Sequence, residues 1–278
     1  MCCLLFIFIF FFNIYYALPQ NGYSVYPTTI ELDSVNLLVT YSLSYQEDSL
    51  NPNNIRKENM LLFLSDNVSC FLSMRHLRHI EQKKSITSRA ELLAVMQDLD
   101  FQLPVSRYNY YIFKNYPEGK ITKINSIMGD FFKYRQSLNA FDWELTSETS
   151  ETNGFMVQKA TTEYGGRTWV AWFTPDIPYN DGPYKFNGLP GLILEIRDTR
   201  DHYVFELVSV ERPGEPMLIE FPERNYIKTT KKDFFRARQA SRDNIISRAS
   251  EAGLGVEVQQ IAAENMRRRN NPLELTVD

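Results

Sequence analysis

Phe155-Met156-Val157-Gln158-Lys159-Ala160-Thr161-Thr162-Glu163-Tyr164-Gly165-Gly166-Arg167-Thr168-Trp169-Val170-Ala171-Trp172-Phe173-Thr174 reads as two strands joined by a two-residue turn. β-Branched and aromatic residues favour extended backbone on both sides. Gly165-Gly166 supplies the two positive φ angles that a type I′ hairpin turn needs. A two-residue loop fixes the register, so Tyr164 faces Arg167, Thr162 faces Trp169 and Ala160 faces Ala171 on one side. Glu163 with Thr168, Thr161 with Val170 and Lys159 with Trp172 share the other. A tryptophan on each face means that both faces are covered or that one lines a cavity.

Working outward, the rest of the chain is also strand-rich. Leu37, Val39, Tyr41, Leu43 and Tyr45 alternate along Val35–Tyr45. Met60–Leu64 and Val68–Met74 flank a Ser65-Asp66-Asn67 turn. Tyr108–Asn115, Lys120–Ile127 and Phe131–Ser137 are further expected strands, and Leu192–Arg197 with Tyr203–Val210 forms a second hairpin. Ser88 and Glu91 form a capping-box pattern that starts a helix over Ser88–Leu99. Thr230-Lys231-Lys232-Asp233 starts another, expected to run to about Ala252. Val256–Arg269 follows as a last helix. The fold expected is α+β and β-rich: a large, curved, half-barrel-like antiparallel sheet with covering helices and a helical C-terminus.

Gly182-Pro183-Tyr184-Lys185-Phe186-Asn187-Gly188-Leu189-Pro190-Gly191-Leu192-Ile193 joins the two hairpins. Leu189–Leu192 has the chemistry of a type II turn, with Pro190 presetting φ and Gly191 supplying a positive φ. At these residues the chain resembles the GLPGLI family, envelope or secreted proteins of two-membrane bacteria with no assigned biochemical role. Trp143-Glu144-Leu145, Gly154 through Thr161, Gly166-Arg167, Ala171–Thr174, Ile177-Pro178 and Asn271-Pro272-Leu273-Glu274-Leu275 follow the family's order. Relatives often carry a cysteine where this chain has Val157.

The resemblance implies export, and the leader agrees. Residues 1–17 carry no charge and are mostly apolar, too short for a membrane span and suited to a signal-peptide core ending at Ala17. Cys2 and Cys3 precede that core, so they do not mark a lipidation site. The mature chain is then one domain over 18–278, with 229–269 a helical C-terminal extension. Cys70 is left as a lone small hydrophobe. The expected location is the periplasm or the exterior, with outer-membrane association as an alternative and no stable membrane span.

Charge and motif content restrict the function. The net charge of −4 gives no reason to expect a nucleic-acid partner. No Walker A, Rossmann, HExxH or GxSxG pattern occurs. His76-x-x-His79 reads as an exposed basic segment, so no metal or cofactor is expected. Asp176, Asp181, Glu195 and Asp198 include no pair that spacing alone can bring together, and no catalytic residue is assigned. Trp169, Trp172, Tyr184, Lys185 and Phe186 are the candidate ligand-binding residues, with core packing as the alternative. Lys185 is placed at the rim of such a site, with Glu195 or Asp176 as natural carboxylate partners for it and for Arg167. Gly188, Leu189, Pro190 and Gly191 are the structural motif. The function expected is non-enzymatic binding of an apolar small molecule or an envelope protein. A carboxylate-based envelope hydrolase and an accessory of an outer-membrane transport system are the alternatives.

Overall fold

The computed structural model describes residues 26–97, 106–251, 253 and 255–277. The leader at 1–17 and the end of the helix expected over Ser88–Leu99 lie outside the described residues. The first half holds β1 (Thr29–Ser34), β2 (Leu37–Gln46), β3 (Ile55–Leu64), β4 (Ser69–Ser73), α1 (Met74–Ser85), α2 (Arg89–Gln97), β5 (Tyr110–Lys114), β6 (Lys120–Ile127) and β7 (Asp130–Ser137). The second holds β8 (Glu144–Thr152), β9 (Phe155–Tyr164), β10 (Arg167–Thr174), β11 (Leu192–Asp198), β12 (Tyr203–Glu211), β13 (Leu218–Pro222), β14 (Ile227–Lys228), α3 (Lys231–Asp243), α4 (Ile245–Glu251) and α5 (Val256–Arg267).

Among the described residues, twelve strands form one sheet in the order β14-β7-β6-β5-β4-β3-β2-β12-β11-β10-β9-β8. Its two ends do not pair with each other, so the sheet is open. It is antiparallel except for the short parallel pairing of β14 with β7. The hairpin that anchors the reading keeps the expected register, from Tyr164 opposite Arg167 to Lys159 opposite Trp172. Gly165 and Gly166 turn with φ of 60° and 75°, as a type I′ turn requires.

Both faces of the central strands are buried, which is why β3 ends in the unbroken apolar run Met60–Leu64 rather than an alternation. Met60, Leu62 and Leu64 join one core with Val39, Tyr41, Leu43, Trp169, Phe173, Phe186 and Phe205. Leu61 and Phe63 join the other with Cys70, Leu72, Phe113 and Ile80, beneath α1 and the separate β1–β13 pair. Cys70 is packed in this core as a small hydrophobe, and burial pushes its thiol up. The sheet curls about the first core. The Tyr41 hydroxyl on β2 donates to the Ile193 carbonyl on β11, two strands away, at 2.7 Å.

Three local readings differ from the structure. His76 and His79, expected as part of an exposed segment, are half-buried on a helix, α1; Ser73 ends β4 and at once caps that helix by accepting the His76 N–H at 3.2 Å. The helix starting at Thr230 has the expected cap, with Thr230 Oγ1 accepting the Asp233 N–H at 3.1 Å. It stops at Asn244 instead of running on to Ala252, and α4 begins a new segment. The Leu189–Leu192 turn is tighter than type II. Gly191 N–H donates to the Leu189 carbonyl at 2.8 Å, an i→i+2 turn about Pro190. Leu192 N–H donates to Ile177 O at 3.1 Å instead.

Candidate functional site

The segment between β10 and β11 enters the curve of the sheet and is clamped there by a buried lysine. Lys114, on β5, pairs with the Asp181 carboxylate and donates to the Gly182 carbonyl at 2.5 Å and the Phe186 carbonyl at 3.2 Å. Ser69 Oγ donates to the same carboxylate at 2.5 Å. So anchored, the segment points Tyr184, Lys185 and Phe186 inward. Tyr184 adopts φ 56°, a left-handed conformation uncommon for a non-glycine residue.

Lys185 is 0 % exposed and sits between two distant strands of the sheet. Its ammonium donates to the Tyr134 hydroxyl at 3.1 Å and Gln136 Oε1 at 2.8 Å on β7, and to the Tyr164 hydroxyl at 3.1 Å on β9. Its carboxylate partner is Glu274, 2.7 Å away and close to the C-terminus. This corrects the rim position expected for Lys185 and the Glu195 or Asp176 pairing. Arg167 likewise pairs with Asp198, at 2.8 Å. It also donates to Leu273 O at 3.0 Å, Asn271 Oδ1 at 2.6 Å and Pro272 O at 2.7 Å. The Gly165 carbonyl accepts the Leu275 N–H at 2.6 Å. The hairpin tip therefore docks the C-terminal strip and delivers Glu274 to Lys185. Glu195 is engaged by Arg197, and Asp176 is exposed.

Burial works against ionising the Glu274 carboxyl. Lys185, Lys123 and Lys231 outweigh it and hold that carboxyl far below the ordinary range. Lys231 approaches its second oxygen at 2.9 Å. Burial draws Lys185 down to about 8, with Glu274 resisting. A carboxyl lowered in this way stabilises the fold above its unfolded pKa and loses that contribution as pH falls. Urea unfolding is expected to show stability falling as pH drops below about 5. Glu274→Gln should flatten that limb; a variant with the wild-type acid slope would refute the assignment.

On the same concave side lies an open cavity of ≈ 610 Å³. Its floor is a row of tyrosines: Tyr203 on β12, Tyr45 on β2, Tyr108 before β5, Tyr110 on β5, and Tyr184. Tyr203 and Tyr45 stack at 6.3 Å between centroids. Tyr45 meets Tyr108 edge-on at 5.1 Å, Tyr108 meets Tyr110 at 5.8 Å, and Tyr110 meets Tyr184 at 6.0 Å. Lys123, on β6, lies 4.3 Å from the Tyr110 ring centroid. The walls are Phe235, Arg238 and Arg242 of α3 together with Asn271–Glu274. Glu47 at one end is engaged by Arg56 at 3.1 Å and by Arg107.

Of the candidate binding residues, only Tyr184 lines this cavity. Trp169 and Phe186 pack on each other at 4.7 Å inside the first core, next to buried Lys185. Trp172 is half-buried at the margin of that core. Gly188 has φ 93°, and Leu189 is buried. Among the described residues no cluster of His, Cys, Asp and Glu could hold a metal ion. Sequence reading passed over Tyr45, Tyr108, Tyr110, Tyr203 and Lys123. The available signal was Tyr45 on the apolar face of the Val35–Tyr45 stretch and the pair Tyr108/Tyr110, two residues apart in a stretch expected as a strand.

Residues 163–195 match a family model described as "Protein of unknown function (Porph_ging)". No curated protein sequence matches the chain. Two solved structures of PNGF-II, in the P21 and C2 space groups, align with a TM-score of 0.49 each, at 16% and 15% identity. Each alignment covers 75% of this chain and 34% or 33% of the other. The chain thus spans about a third of the length of the solved structures it matches.

Proposed function

We propose that this chain is an exported envelope protein that binds a small molecule with an apolar, ring-bearing body in the tyrosine cleft. The observation that carries the reading is the cavity itself. A volume of ≈ 610 Å³ suits a small ligand, and the aromatic floor with a few polar groups is the composition of such sites. Tyrosines give rigid, flat contact area with a polar tip. The uncharged leader and the resemblance to envelope proteins support export. Among the described residues no helix is long and apolar enough to cross a membrane.

The hydrolase reading needs carboxylates free to act. The two that line the cleft, Glu47 and Glu274, are already in contact with arginines and lysines. Binding without chemistry is therefore the reading the geometry favours.

Native mass spectrometry of the protein purified from its own envelope fraction tests this. The expected result is a retained mass of a few hundred daltons that disappears in Tyr108→Ala. Bare protein, or protein holding a partner chain with the cleft empty, would overturn it.

A further inference from the structure

We propose that the ligand of the tyrosine cleft is a carboxylate-bearing aromatic molecule, its carboxylate seated on Lys123, Tyr110 and Arg238. This rests on the cleft being a small-molecule site and adds the chemistry of what it takes.

Three hydrogen-bond donors that line the cleft are not fully used by the protein among the described residues. Lys123 is 5% exposed and makes no ion pair among the described residues. Its amine donates to the Tyr184 hydroxyl at 3.1 Å and otherwise lies over the Tyr110 and Tyr184 rings, with no second hydrogen bond among the described residues. The nearby carboxylate, Glu274, is in ion-pair contact with Lys185 and Lys231 and acts on Lys123 only from a longer range. Beside it, the Tyr110 hydroxyl is buried with no hydrogen-bond partner. Buried hydroxyls are rarely left so, because the unmade bond costs about 1–3 kcal/mol. Arg238 of α3 overhangs the same cavity and has no hydrogen bond or ion pair among the described residues. These three groups sit on β5, β6 and α3, and all three line the same cavity. A neutral hydroxyl or carbonyl would leave the guanidinium uncompensated; a carboxylate answers all three.

Electrostatics point the same way. Burial holds the Lys123 amine well below its ordinary range, and Lys185, Arg238 and Lys231 deepen that, with Glu274 opposing. An anion seated beside Lys123 would offset that burial and favour the charged amine. The tyrosine row beside it offers flat faces, which is why a ring is expected next to the anion.

Isothermal titration with 2-naphthoate and with 2-naphthalenemethanol, which share a ring system and differ in charge, tests the inference. The naphthoate is expected to bind at least about tenfold tighter, a difference of about 1.4 kcal/mol. Tyr110→Phe, Lys123→Met and Arg238→Gln are each expected to weaken naphthoate by about tenfold and leave the alcohol unchanged. Tyr110→Phe removes an unpartnered hydroxyl, so its melting temperature should hold or rise while affinity falls. A purely structural tyrosine would not give that split. Arg238 lies on a partly exposed helix face, so its variant folds even if Lys123→Met does not. Equal affinity for the two probes, with the variants silent, would overturn the anion site and leave the cleft standing. Binding of neither probe would remove both.

Discussion

Glu274→Ala is expected to destabilise the protein by about 3–5 kcal/mol, the cost of leaving a buried charge without its partner. Lys185 has no exposed surface, and its remaining contacts are two phenols and one amide oxygen. None of these carries a compensating charge. Lys231 loses this ion pair as well, and the Tyr184 hydroxyl loses the carboxylate it donates to. The pair also joins β7, β9, the 181–191 segment and the C-terminal strip at one buried point. Urea denaturation gives the number. Adding Lys185→Met should recover most of the loss, since a buried ion pair replaced by apolar groups of similar volume is often neutral. A loss under about 1 kcal/mol for Glu274→Ala, the size seen for exposed pairs, would show that water reaches the site.

This pair also shows where sequence reasoning stopped. Lys185 was visible as a cation among aromatics, yet its partner is 89 residues away in sequence. Carboxylates close in sequence, Asp176 and Glu195, were the natural expectation. They failed because curling of the sheet, not local spacing, brings the C-terminal strip over the hairpin. The strip is steered by Arg167 and the Gly165 carbonyl, two features of a turn that was itself easy to read. By contrast, the pairing of Phe155–Tyr164 with Arg167–Thr174 was fully legible, because a two-residue loop leaves one register. Helix α1 was hidden because Ser73 serves as both last strand residue and N-cap, with no glycine or proline to mark the change. β8 was hidden for another reason. Glu144–Thr152 is polar and largely exposed at the end of the sheet, so it carries no alternation. The cleft was illegible as a site: its tyrosines come from four separate stretches between Tyr45 and Tyr203, and each alone reads as core.

Gly191→Ala is expected to cost about 4 kcal/mol, through backbone strain of about 1–3 kcal/mol and overpacking of similar size. Gly191 has φ 144°, in the region that favours glycine. The space beside it matters more. A Cβ placed there would lie 2.0 Å from the Thr174 carbonyl oxygen and 2.9 Å from the Pro175 Cα. Those are backbone atoms at the end of β10, where Thr174 is paired with Leu192. They cannot rotate away as a side chain would, so either the strand end or the turn must move. The turn leads directly into β11, whose Leu192, Ile193 and Leu194 are all buried. Displacing it therefore disturbs the first core and the segment that carries Tyr184 and Lys185. Gly188→Ala is the control. Its φ of 93° is also strained for alanine, but the nearest atom to its Cβ would be Trp143 Nε1 at 3.9 Å, an ordinary contact. It should lose only the conformational part, about 1–3 kcal/mol. Chemical denaturation of the two variants side by side separates crowding from φ preference. Equal losses would mean that the close approach at Thr174 relaxes freely and that glycine is there for its φ alone.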